Sequence, residues 1–434
     1  MFWKFFNRKS TSNASISPSD QVLPQYDSKS TLNFLQKLIP IGDLSVEDLK
    51  AIRYWFRHFS AGEIIFNRGE QAEEIMYLYS GKIFLESANG NGISLEEGLF
   101  RACYPLSSQS EHHFTAIAKS ATTVIYLPLS VMQRTADMME HLNPLTDVKL
   151  IPSKLQSSRL FNSFCEAYKQ EYLQIPSLPD VAIQLRSALH KEIDIADAVK
   201  IINLDPAIAA KLVQVANSHL YRTNQPLASC QDAVNRLGLQ TTQNLVTSMS
   251  LKNLFRSDNR LLNACIQHIW KQSIQVASLS YILAAVSRKQ NADEALLAGL
   301  VNSIGALPII AHAETLDDGS YNEQELIDTI SALQSQVGEY ILSKWHFPTH
   351  LLALPKQTRY WYQDSQPSFQ LSDIVLLAKF HSQLGTPQAK NLPPINTLPA
   401  FSKLGEYGLT PDMSLQILHD AKQQIAEALH FFKG

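Results

Sequence analysis

Asn302 and Ser303 interrupt an otherwise apolar stretch, ALLAGLVNSIGALPII at residues 295–310. A binuclear phosphohydrolase centre needs several His and Asp ligands. An adjacent His-Asp pair serves it well, because one element then supplies an imidazole and a bridging carboxylate. Asn and Ser are not ionised at neutral pH, so neither offsets the charge of a divalent metal. The other chemistry-bearing side chains of this half are His268, Gln272, His346, His350, Asp373 and His381. His268 and Gln272 stand one helical turn apart and share a face. They could line a cleft with Asn302, or they could be hydrogen-bonded polar groups on a packing face. The candidate cleft is therefore His268, Gln272, Asn302, Ser303 and Asp373. Asn302 is expected to bond to His268 or Gln272, and no metal or other cofactor is expected.

Other chemistries find less support. No Gly-x-Ser-x-Gly surrounds Ser303, and no Gly-x-x-x-x-Gly-Lys phosphate loop occurs. The aromatic-basic stretch TRYWYQ at 358–363 is too short and too weakly basic for a nucleic-acid site. In the N-terminal half, an anion nest needs backbone N–H groups and usually an arginine. The region between Gly98 and Thr123 offers Arg101, His112 and His113 as a candidate ligand loop, with a solvated surface loop as the alternative.

These residues need elements to position them. Residues 8–26 are rich in Ser, Asn, Pro and Gln, and 1–26 read as a disordered lead-in. Apolar residues at helical intervals over 31–56 predict one or two short helices. From residue 61 short β-rich runs alternate with Gly62, Gly69, Gly81, Gly90 and Gly92. That texture predicts a small jelly-roll-like β-roll, and with its flanking helices it makes a unit over 27–142. Residues 143–160 read as a linker. Beyond 161 helical patterns dominate. Asp194 is expected to cap one helix and Asp205 the next, with Pro206 at its start. Asn217 fits a tight helix junction, Gly238 ends a helix, and 262–287 form a long amphipathic one. The expectation is a multidomain α+β chain: the N-terminal β-roll, then a large all-α helical domain over 161–385. A C-terminal helical extension over 386–434 would pack on it, because LQILHDAKQQIAEALHFF is strongly amphipathic.

The bulk properties fit this plan. A chain of 434 residues exceeds what one core usually supports. Hydrophobic residues make up 45%, charged residues 18%, and the net charge is −3, which gives no bias towards nucleic acid or a membrane surface. Four dispersed cysteines suit a reducing compartment, and no apolar run approaches 18 residues. A cytoplasmic location without integral membrane association is expected.

Several stretches carry a family resemblance. IPSLPDVAIQL at 175–185, DPAIAAKLVQVANSHLY at 205–221, LASCQDAVNRLGLQTTQNLV at 227–246, LLAGLVNSIGAL at 296–307 and VGEYILSKWHFP at 337–348 resemble the HDOD domain. That module is related to HD-type metal-dependent phosphohydrolases. The resemblance implies that Asn302-Ser303 fill the His-Asp slot, and that Gln272 stands where many members keep a histidine. It implies a non-catalytic output domain whose partners are other signalling proteins. Phe66-Asn67-Arg68-Gly69-Glu70, Tyr79-Ser80-Gly81-Lys82-Ile83 and Gly98-Leu99-Phe100 resemble a cyclic nucleotide-binding domain. Arg101-Ala102 follows Phe100 where that family has Glu, which argues against cyclic-nucleotide binding. The expectation is a non-catalytic signal-transduction protein, a degenerate sensor coupled to a protein-interaction output. The alternatives are a phosphohydrolase with an atypical site and a cyclic-nucleotide-binding regulator.

Overall fold

The computed structural model describes residues 28–404 except 88, 89, 91, 108–110, 142–144, 146–152, 219, 220, 222–225, 255, 318 and 365. The expected lead-in, half of the linker and the amphipathic tail beyond 404 lie outside the described residues.

The N-terminal region begins with α1 (Ser28–Leu35) and α2 (Val46–Ala51). Among the described residues seven strands follow: β1 (Trp55–Phe59), β2 (Ile64–Phe66), β3 (Glu74–Ser80), β4 (Lys82–Glu86), β5 (Gly92–Glu96), β6 (Thr115–Ala118) and β7 (Thr122–Pro128). Helix α3 (Ser130–His141) closes the region. The strands form two antiparallel sheets, in the orders β1-β7-β3 and β2-β6-β4-β5. These are two separate sheets, and they do not close into a barrel.

Alternation along the strands explains the layering. Met76, Leu78, Val124 and Tyr126 of the first sheet share a core with Ile83, Leu85, Ala116 and Ala118 of the second. Ile75, Tyr77, Ile125 and Leu127 point the other way, into a second core with Leu35, Leu38, Leu49 and Val131 from the helical segments. The central strand β7 is thus covered on both faces and is buried over nearly its whole length. Phe56 belongs to β1 rather than to a helix. Its run, WFRHF, is aromatic-rich and pairs in register with β7, Phe56 against Ile125.

Thirteen further α-helices follow among the described residues. They are α4 (Arg159–Lys169), α5 (Asp180–Leu189), α6 (Ile195–Ile202), α7 (Pro206–Ala216), α8 (Cys230–Leu251) and α9 (Arg260–Ser287). Then come α10 (Ala292–Val301), α11 (Ala306–Glu314), α12 (Glu323–Lys344), α13 (Thr349–Leu352), α14 (Leu354–Gln357), α15 (Leu371–Gln383) and α16 (Pro399–Ser402). Asp194, Asp205, Ser229, Asn259, Asn291 and Asn322 cap α6 to α10 and α12 by accepting backbone N–H bonds, an effect worth roughly 1 kcal/mol each. Gly238 kinks α8 at φ 75°, a backbone state that a side chain resists. Asn217 holds a junction from both sides. Its amide donates to the Leu227 carbonyl and its Oδ1 accepts from the Leu227 amide.

Helix α9 is the spine of the helical region, with α10 and α15 packed along it. The span Ala292–Glu314 is long and apolar enough to cross a membrane, but most of it is buried in this core. Of the expected linker, Leu145 and Leu155 are buried in the same core, and α4 starts at Arg159. Residues 386–404 run between the two regions. Leu392 and Leu398 join Tyr362 and Phe380 of the helical region and Tyr104 of the N-terminal region in one apolar cluster.

Candidate functional site

The apolar run that holds Asn302 and Ser303 folds as two helices with a break. Helix α10 ends at Val301 and α11 starts at Ala306. Gly305 sits there because α12 passes so closely. A Cβ at 305 would overlap the Gln334 carbonyl oxygen and the Gly338 amide nitrogen. The break turns Asn302 and Ser303 towards a cavity of about 300 Å³. Ser331, Gln334 and Ser335 of α12 line its second wall. Pro355 of α14, Arg359 and Tyr360 after it, and Lys379 of α15 complete the lining.

A chain of hydrogen bonds sets this geometry. Thr358, fully buried, donates its hydroxyl to Asn302 Oδ1 at 2.5 Å. Asn302 Nδ2 lies 3.2 Å from Ser303 Oγ. The Lys379 ammonium donates to the Thr358 carbonyl. Arg359 donates to Gln336 Oε1 at 3.4 Å and lies over the Tyr360 ring. Burial, and after it the Arg359 guanidinium, hold the Lys379 ammonium down at about 8.

Of the cleft residues expected from the sequence, the fold brings together Asn302 and Ser303. His268 and Gln272 are exposed on α9 and do not line the cavity. The expected Asn302 bond to one of them is corrected to Thr358. The reason is periodicity: Leu262, Ile266, Trp270 and Ile274 define the buried stripe of α9 and leave 268 and 272 outside it. Asp373 is buried elsewhere, at the start of α15. It accepts from the Gln370 amide at 2.8 Å and pairs with Lys403 at 3.4 Å. Burial raises its carboxyl, against the lowering by those two partners.

His381 is buried, with Nδ1 2.7 Å from the Leu377 carbonyl. His350 pairs with Glu294 at 2.6 Å. This pair lies beside a second polar cavity of about 360 Å³ that Arg186 also lines. Among the described residues no group of three or more His, Cys, Asp or Glu side chains converges to hold a metal ion.

The N-terminal candidates separate in the same way. His112 is buried, stacked on Phe66 at 4.0 Å between centroids, with Nδ1 2.9 Å from Ser107 Oγ. Burial lowers its pKa; Glu70 opposes this and His113 adds to it. His113 is exposed. Arg101 faces the helical region, donating to the Ala389 carbonyl at 3.1 Å. Beside it the Tyr104 hydroxyl donates to the Asn391 carbonyl at 2.8 Å. None of these three candidates lines the cavity of about 380 Å³ next to Leu99 and Phe100.

Sequence reasoning missed Thr358, Arg359 and Lys379. A lone lysine in the apolar run LSDIVLLAKF was the available signal, since a charge on a core helix calls for a reason.

Comparison with known proteins agrees with this architecture. Residues 175–358 match the HDOD domain, and residues 56–138 match the cyclic nucleotide-binding domain. A crystal structure from Shewanella amazonensis SB2B, provisionally named a metal-dependent phosphohydrolase, is 25% identical with a TM-score of 0.53. The match covers 62% of this chain and 98% of that one. The structure of an HDOD domain protein with unknown function from Geobacter sulfurreducens is 18% identical, with a TM-score of 0.46. It covers 63% of this chain and 96% of that one. An uncharacterized protein of Treponema pallidum is 25% identical over 191 residues, 40% of this chain but only 35% of that protein's length.

Proposed function

We propose that this chain, an HDOD-like helical region joined to a cyclic-nucleotide-binding-like domain, is a non-catalytic regulatory protein of signal transduction. In this reading the two sheets are the faces of a jelly-roll-like sensor β-roll, and the helical region is the output that other signalling proteins contact. Its place of action is the cytoplasm, in keeping with four free thiols.

The observation that carries the reading is the contact between the regions. Arg101 and Tyr104 donate to the carbonyls of Ala389 and Asn391, and Tyr104 joins the apolar cluster of Tyr362, Phe380, Leu392 and Leu398. A change in the β-roll at Arg101–Tyr104 therefore acts directly on segment 386–404, which packs against α15. The cleft chemistry supports a regulatory role over a hydrolytic one. Its centre presents a neutral Asn-Ser pair beside two cations, a donor set that repels a divalent metal.

The test uses the full chain as bait in a bacterial lysate, beside an Arg101→Ala/Tyr104→Phe variant. A signalling protein retained by one form and altered in amount by the other supports the reading. Retention of no partner by either form counts against it. The cyclic-nucleotide alternative rests on the match over 56–138. Calorimetry with cAMP and cGMP decides it, and saturable heat would establish a ligand-binding regulator. Stoichiometric metal in the purified protein would revive the phosphohydrolase alternative.

A further inference from the structure

The charges around the Asn302 cleft are opposite in sign to those a metal centre requires. Arg359 and Lys379 both line it, and among the described residues no carboxylate does. Lys379 is carried by α15, whose neighbouring positions are almost all buried and apolar. Its ammonium has a carbonyl partner, that of Thr358, which bonds the group without neutralising its charge. Two like charges held together in a partly buried cavity disfavour one another, and an anion between them relieves the repulsion. The remaining walls supply groups that suit an anion. Asn302 is a neutral amide, and Ser303, Ser331 and Ser335 can donate from their hydroxyls. Ser331 and Ser335 lie one turn apart on α12, and Ser331 is exposed at the mouth, which gives an entry path. About 300 Å³ is ample for a phosphoryl group and reaches the lower end of small-ligand pockets.

A purely structural role accounts for part of this. Lys379 satisfies a carbonyl at the end of α14. It does not account for the place of Arg359, whose guanidinium shares the cavity, has a 3.4 Å bond to a neutral amide and is within electrostatic reach of the Asp43 carboxylate, which does not line the cavity. A planar guanidinium next to an ammonium and hydroxyls is the donor set that recognises phosphate oxygens.

We propose that the cleft between the α10–α11 break, α12 and α15 is an anion site for a phosphate-bearing small molecule, held by Arg359 and Lys379 with Asn302, Ser303, Ser331 and Ser335. The phosphate belongs either to a free inorganic species or to a nucleotide, and the experiment separates them.

Calorimetry on the full chain at neutral pH and constant ionic strength uses inorganic pyrophosphate in one arm and AMP and GMP in the other. Saturable 1:1 binding in either arm is expected, and the tighter arm identifies the source. Arg359→Gln and Lys379→Met are each expected to weaken binding about ten-fold or more, as loss of a charge-assisted contact does. Lys379→Arg should keep most of the affinity. Because Lys379→Met also removes the Thr358 contact, a Ser331→Ala/Ser335→Ala variant, which keeps both cations, is measured beside it and should bind more weakly with unchanged unfolding. No saturable binding in either arm would overturn the proposal. So would binding that Arg359→Gln and the serine variant leave unchanged.

Discussion

The Thr358 hydroxyl donates to Asn302 Oδ1 at 2.5 Å, across 56 residues of sequence and inside the helical core. The bond ties the break between α10 and α11 to the segment that follows α14. Both side chains are buried. Thr358→Val keeps the shape and removes the donor. It should cost roughly 1–3 kcal/mol, since the Asn302 carbonyl oxygen loses this buried partner. Urea unfolding of both forms measures it. A loss within about 0.3 kcal/mol, inside the usual error of such measurements, would show that Asn302 finds another donor.

Lys379 gives the protein a signature at alkaline pH. Its folded pKa, about 8, lies below the ordinary 10.5, with burial as the main cause and Arg359 second. Between those values the unfolded chain binds the proton and the folded chain does not, so stability from this group rises with pH across that window. Lys379→Met should remove the rise. The comparison must be differential. Tyr104 and Tyr126 are pushed up to about 12 by burial, and their folded forms lose stability above about pH 10 in wild type and variant alike. A wild-type-minus-variant curve that is flat from about pH 8 to 10 would show that Lys379 titrates normally.

The elements of the helical region were largely legible because local rules and tertiary structure agree there. Asp194, Asp205 with Pro206, and Gly238 each carry a backbone reason that a single sequence displays. That Asn302 bonds within the helical core was legible too, since a polar pair in an apolar run must find partners. The walls of the cavity beside it were not. Arg359 and Lys379 reach Asn302 only through the packing of α14 and α15, and spacing along the chain does not encode that approach. His268 and Gln272 show the opposite failure. Their mutual spacing was read correctly, but the phase of α9 relative to the core was not. Arg101 likewise stood out as the arginine an anion nest would need, while its actual acceptor, Ala389, lies 288 residues away.

His112 predicts an acid-side loss of stability. Burial lowers its folded pKa below the ordinary 6.5, so the unfolded chain binds a proton first as pH falls. Stability from the neutral, buried ring is complete above about 6.5 and declines below it, down to the folded value. An asparagine can keep a bond to Ser107 without titrating. His112→Asn should therefore show a shallower decline than the wild type as pH falls below about 6.5. Burial also lowers His312 and His381, so the difference between the two proteins isolates His112. Parallel curves would remove His112 from the account.

Gly305 fixes how closely α12 can approach the cleft. An added Cβ would meet backbone on both contacts, the Gln334 carbonyl and the Gly338 amide, and backbone cannot swing aside as a long side chain can. The φ of Gly305 is −65°, so alanine carries no conformational penalty of its own there, and any effect comes from the clash. Gly305→Ala should destabilise the helical region by roughly 1–3 kcal/mol or more, through a forced shift of α12 away from the α10–α11 break. That shift would also move Ser331 and Ser335 relative to Asn302, so pyrophosphate binding should weaken alongside stability. Gly319→Ala is the control. It has open space around its Cβ position and a φ of 81°, so it is strained by conformation alone and lies away from the cleft. Thermal unfolding and calorimetry on both variants separate the cases. Weakened binding in Gly305→Ala but not in Gly319→Ala ties the close helix approach to the shape of the cleft. Equal losses in both would mean that general destabilisation is the cause.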